Sequence, residues 1–182
     1  MKKILFNEDC FCQIEILARS NHKYVMQQLK NSQMHQNYRS QLLGFSTSVE
    51  REEPPKSTKE CKISEEVLSV SLIGTSLIKT EVFSEYDDFT KPCENIFAFS
   101  SPHAENIVLF FEKEDTIVSN IWLVLDLKTN WDYQVAREMI VALSALGDFM
   151  IVDWGWDFVA DLANQELIAK YLKERQNVFK DL

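Results

Sequence analysis

Between residues 96 and 127 the chain carries three strand-length apolar runs, 96–99, 107–111 and 117–127, divided by short Ser-Pro-His and Lys-Glu-Asp turns. Turns this short leave no room for a crossover helix, so consecutive strands must pair antiparallel, and a meander is expected at the centre of the protein. The period then changes. Val135, Met139, Ala142, Leu143 and Leu146 recur at helical spacing, with Thr129 or Asn130 placed to cap and Gly147 just beyond, which predicts a helix over 131–146. The run 149–152 reads as a buried strand. Asn164 can cap a last helix whose Leu167, Ile168, Tyr171 and Leu172 face inward, with Lys170, Lys173 and Arg175 toward its C-terminus.

Upstream of the meander the pattern is weaker. Residues 7–44 read as mostly helical, although the alternation of Cys12, Ile14, Ile16 and Ala18 with Gln13, Glu15 and Leu17 also suits a strand. A helix is expected from Ser20 or Asn21, with Tyr24, Val25 and Leu29 on one face and Gly44 at its end. Residues 46–63 are polar around Pro54-Pro55 and predict an exposed loop. Strand signals at 67–73 and 77–83 flank Gly74-Thr75-Ser76 as a hairpin would, and 84–94 reads as a loop. The whole predicts one α+β domain over 1–182. Its sheet is mainly antiparallel, of about five or six strands, with N-terminal helices and two C-terminal helices packed on it.

Charge narrows the partners. Lys and Arg total 19 against 28 Asp and Glu, a formal charge of −9, so a nucleic-acid backbone is repelled and a basic protein is attracted. The four glycines are scattered singly, which argues against a phosphate-cradling loop, and no cofactor is expected. No run approaches the ~20 apolar residues of a membrane span. Met-Lys-Lys is followed by only a short apolar stretch, unlike a secretory signal. Cys10, Cys12, Cys61 and Cys93 are therefore expected to be reduced thiols in a cytoplasmic protein, and they lack the paired spacing of a zinc site.

No constellation is complete enough to predict an enzyme. Asp115 and Asp126-Leu127-Lys128 resemble the Asp…(Asp/Glu)-x-Lys half-motif of restriction-endonuclease-like nucleases, in which carboxylates hold a divalent ion and the lysine positions water. Cys93 and His103 could meet across a hairpin as a thiol pair. Carboxylate pairs can also be drawn from Asp126, Glu138, Asp153 and Asp157, with nothing in their spacing to select two.

Two segments alternate aromatic and acidic groups: Glu85-Tyr86-Asp87-Asp88-Phe89 and Asp153-Trp154-Gly155-Trp156-Asp157-Phe158. In strand register Trp154 and Trp156 would share one face, leaving Asp153 and Asp157 on the other as an acidic rim. Core packing of the tryptophans and exposure as contact anchors are both open on this reading. With its acidic balance, its scarcity of glycine and these two stretches, the chain resembles the immunity proteins of bacterial contact-dependent inhibition and related polymorphic-toxin systems. The resemblance implies a small, cytosolic, catalytically inert domain that binds and neutralises a cognate toxin, often a basic nuclease. The expected contact residues are Glu85, Tyr86, Asp87, Asp88, Asp153, Trp154, Trp156 and Asp157, without metal.

Overall fold

The computed structural model describes residues 3–6, 13–40, 53–86 and 89–180. Strands β1 (Lys3–Phe6) and β2 (Ile14–Ala18) are followed by a 3-10 turn (Arg19–Asn21) and helix α1 (His22–Ser40). A second 3-10 turn (Thr58–Cys61) precedes helix α2 (Glu65–Ser71), then β3 (Ile78–Tyr86), β4 (Phe89–Pro92), β5 (Ile96–Ser100), β6 (Ile107–Glu114) and β7 (Ile117–Leu125). Helix α3 (Asn130–Ser144), the hairpin β8 (Phe149–Asp153) and β9 (Phe158–Asp161), and helix α4 (Gln165–Lys180) complete the chain. The class is α+β. The sheet has nine strands rather than five or six, in the order β1-β3-β5-β6-β7-β2-β8-β9, with β4 beside β3.

The meander forms as the short turns require, β5, β6 and β7 pairing antiparallel in sequence. Its apolar runs are nearly continuous because both faces of the sheet are covered. Leu109, Phe111, Ile121, Leu123 and Leu125 meet Val135, Met139, Ile140 and Leu143 of α3 and Ile168 and Leu172 of α4. The intervening Val108, Phe110 and Trp122 point the other way and cluster with Ile4 and Val82. Farther along that second face, α1 seats Val25 and Leu29 on Leu17, Met150 and Val152.

Upstream, one open reading is resolved and three expectations are corrected. Residues 14–18 are a strand, inserted between β7 and β8 so that Ile14 faces both Leu123 and Asp153 across the ladders. Ile14 and Ile16 enter one core and Leu17 the other, which is why the pattern suited two structures. Residues 67–73 are not a strand. Ser64 Oγ accepts the Val67 N–H at 3.2 Å, Glu65 and Glu66 occupy the first turn, and Leu68 and Leu72 bury one helical face. Gly74 (φ 93) therefore links a helix to β3, with no hairpin. The predicted loop 84–94 is largely the β3–β4 hairpin, Tyr86 pairing with Phe89 and Pro92 lying opposite Phe83. Among the described residues β4 pairs with β3 alone, and such an edge position tolerates a proline.

Of the predicted exposed loop 46–63, residues 46–52 lie outside the described residues. The rest is pinned. Buried Asn21 donates from Nδ2 to the Lys56 carbonyl at 2.7 Å and accepts the Lys56 N–H at 3.0 Å. Val118 N–H donates to the Ile63 carbonyl at 2.8 Å. No helix among the described residues is long and apolar enough to cross a membrane.

Glu65 receives Lys113 and Lys79, both of which also lie over the Phe97 ring. The hydrogen bond from Lys113, then that from Lys79, holds its carboxyl below the usual glutamate range. A depressed folded-state pKa gives stability that is present above the unfolded value of about 4.3 and is lost as pH falls through the folded value. Glu65→Gln is therefore expected to lower the urea midpoint at neutral pH and to flatten its fall on acidification below about pH 4.3. Parallel acid limbs in the two proteins would remove Glu65 from the linkage.

Candidate functional site

Strand β8 ends at Asp153 and the chain reverses through 154–157 into β9, so the tryptophan segment is a turn and not a strand extension. Asp153 builds the turn. Its Oδ1 accepts the N–H groups of Gly155 at 3.0 Å and Trp156 at 3.2 Å, the geometry that lets an Asp side chain close a turn on its own backbone. Asp157 takes the left-handed conformation at φ 50, which an Asp adopts more readily than most residues. The other oxygen, Oδ2, accepts the Tyr171 hydroxyl at 2.6 Å and Arg175 Nη1 at 2.5 Å, while Arg175 Nε donates to the Leu125 carbonyl at 3.3 Å.

Asp153 is 2% exposed and Arg175 8%. The expectation that Asp153 forms part of an acidic rim is corrected: its carboxylate is consumed inside the protein by α4 and by its own turn. The Tyr171 hydroxyl is pushed far above its ordinary pKa, chiefly because burial disfavours the phenolate, so it stays a proton donor to Asp153.

The two tryptophans diverge, contrary to the shared face that a strand would have given them. Trp154 packs toward α1 with Leu17 and Val25, and its indole N–H donates to Glu15 Oε2 at 2.5 Å. Trp156 goes to the α4 side. The Arg175 guanidinium lies 5.0 Å from its ring centroid and Tyr171 meets it edge-on at 6.3 Å, with Phe158 stacked on Tyr171 at 4.1 Å. Trp156 nevertheless stays 39% exposed, beside the exposed Asp157. The turn thus presents one large aromatic surface and one carboxylate from a foundation of buried, paired groups.

The second aromatic-acidic segment lies elsewhere. Glu85 and Tyr86 end β3 and Phe89 opens β4, while Asp87 and Asp88 lie outside the described residues. From β3 to β8 the sheet order counts five strand spacings, ~24 Å at the usual separation. Every pairing on that path is antiparallel, so β3 and β8 run in opposite senses and their C-terminal ends face opposite ends of the sheet. Glu85 and Tyr86 therefore do not form one compact site with Asp153, Trp154, Trp156 and Asp157.

The nuclease-like triad is also separated. Asp115 sits in the β6–β7 turn and Asp126 just past the far end of β7, whose nine residues put roughly 30 Å between them. They cannot share one metal ion. Cys93 and His103 flank opposite ends of β5: Cys93 packs against the cluster of Ile4 and Trp122, and His103 lies edge-on to Trp131 at 6.2 Å. Burial raises the thiol pKa of both Cys61 and Cys93, which keeps them protonated and weakly nucleophilic. Cys10 and Cys12 lie outside the described residues. Among the carboxylates drawn from sequence, Glu138 is exposed on α3 and Asp153 is neutralised by Arg175.

Reading the sequence missed Arg175 and Tyr171, which it placed only as helix positions. The available signal was their spacing, since i and i+4 on an apolar helix face put a guanidinium where a Lys or Glu would be expected to point outward. Comparison with protein-family models, with curated proteins and with solved structures finds no match.

Proposed function

We propose that this chain is an immunity protein, a cytoplasmic and non-catalytic domain that binds a cognate toxin, a basic nuclease-type domain, through the surface around the β8–β9 turn. The observation that carries the reading is Trp156, an exposed indole held by Arg175 and Tyr171 and set beside Asp157 on a chain of net charge −9. An aromatic anchor fixed before binding loses little side-chain freedom on contact, which is how a small surface reaches high affinity. The acidic field steers a basic partner into the encounter and weakens with salt.

Affinity capture with the tagged protein from its own cells, at low and then high salt, tests the reading. The expected result is one stoichiometric, basic protein that is toxic when expressed alone. Trp156→Ala is expected to weaken that complex by about 2 kcal/mol or more, roughly thirtyfold. The same substitution should cost the fold about 2 kcal/mol, the contribution of a cation–π contact to a desolvated guanidinium, since Arg175 beneath the ring is buried. Retention of nothing at either salt, or of a partner indifferent to Trp156, would count against the proposal.

A further inference from the structure

We infer that the contact surface extends from the β8–β9 turn across the C-terminal half of α4 to Trp131, forming a two-anchor surface for a basic protein partner. The partner's charge rests on the reading above; the extent of the surface does not.

Strands β7 and β8 run in the same direction because β2 pairs antiparallel with both. Their C-terminal ends therefore lie at one end of the sheet, two strand spacings or ~10 Å apart, and Arg175 joins them through Leu125 and Asp153. The next residue continues the bridge. Gln176, fully buried, donates from Nε2 to the Thr129 carbonyl at 2.8 Å and to Asn130 Oδ1 at 3.3 Å. Thr129 in turn caps α3 through a reciprocal pair with Asp132, which fixes the first turn of the helix and Trp131 within it.

Adjacent residues of α4 thus brace two tryptophans on one end of the molecule, Trp131 at 50% exposure and Trp156 at 39%. Each has a ring partner at its back, His103 for Trp131 and Tyr171 for Trp156. Val178, exposed and three positions beyond Arg175, lies on the same helical stripe. Large aromatics held rigid and half exposed are the groups that dominate interface energetics, and the ~10 Å between the ends of β7 and β8, which these tryptophans follow, falls within one standard interface of about 800 Å² per partner. The charge at this end matches the occupant: Asp157, Asp126 and Glu105 in the turns and strand ends, with Glu174 on α4, outnumber the exposed Lys128 and Lys173.

Two probes test the surface. Random peptides displayed on phage and selected on the intact protein are expected to be rich in Lys and Arg. They should bind Trp131→Ala and Trp156→Ala each at least about tenfold more weakly, the loss of an anchor worth about 1.4 kcal/mol or more. With the unsubstituted protein carrying 5-fluorotryptophan, the same peptides should shift the Trp131 and Trp156 fluorine resonances and leave that of buried Trp122 in place, a readout that needs no variant to fold. Selected peptides that keep full affinity for both variants, or that respond to one tryptophan alone, overturn the two-anchor surface. The second probe is a basic partner obtained by capture. If it depends on Trp156 but not on Trp131, the two-anchor surface falls while the immunity reading stands. If peptides report both tryptophans and no toxin is retained, the surface stands and the immunity reading falls.

Discussion

Asp153→Ala is expected to lower the free energy of unfolding by about 3–5 kcal/mol, the usual result of breaking a buried ion pair from one side. The cost has identifiable sources. Arg175, 8% exposed, keeps its charge but loses the carboxylate at 2.5 Å, the Tyr171 hydroxyl loses its acceptor, and the Gly155 and Trp156 N–H groups lose theirs. Arg175→Ala should be comparably severe, because it strands the Asp153 charge. The double substitution should cost clearly less than the two single effects added, with a coupling of about 1–3 kcal/mol, because the second change removes a charge already left unpaired. Urea unfolding of the two single variants and the double variant measures this directly. A loss below about 1 kcal/mol for Asp153→Ala would place the pair among surface ion pairs, at odds with its burial.

Trp122→Ala is expected to cost about 3–5 kcal/mol as well, for an unrelated reason. Trp122 is fully buried in the cluster opposite α3 and α4, stacked on Phe110 at 5.4 Å and 11° and met edge-on by Phe6 at 6.2 Å. Deleting the indole removes its transfer free energy and opens a cavity that flanking strands, held by ladders on both sides, cannot collapse to fill. Trp122→Phe keeps an aromatic ring against Phe110 and should retain much of the stability. Thermal unfolding with near-ultraviolet circular dichroism separates the cases: a small change for Trp122→Ala would mean that this cluster contributes little to the fold.

Where the physics is local, the sequence was sufficient. Three apolar runs with short turns between them can only become an antiparallel meander. The 3.6-residue period between Val135 and Leu143, with Thr129 to cap and Gly147 (φ 135) to reverse, can only become α3. Asn164 caps α4 as its side chain predicts, accepting the Leu167 N–H at 3.1 Å. These elements carry their own hydrogen bonds or pair with sequence neighbours, so their residues state the outcome.

Pairing at long range was not legible. Ile14–Ala18 became a strand because the ladders of β7 and β8, more than a hundred residues away, offered it hydrogen bonds on both edges. Its alternation alone fitted either structure. The tryptophan segment shows the same division in the site. Asp153-Trp154-Gly155-Trp156-Asp157 announced aromatic and acidic groups side by side, and nothing more. That Asp153 turns inward follows from Arg175 and Tyr171 on α4, eighteen to twenty-two residues later in the chain and meeting it only once the helix docks on the sheet. Burial made a stray charge on either partner too costly to leave unpaired. Composition therefore determined the sign of the net charge and the presence of large aromatics beside acids. Only tertiary packing decided the rest: α4 takes Asp153 inside the protein, α1 covers Trp154, the second face of the sheet buries Trp122, and Trp131 and Trp156 stay exposed.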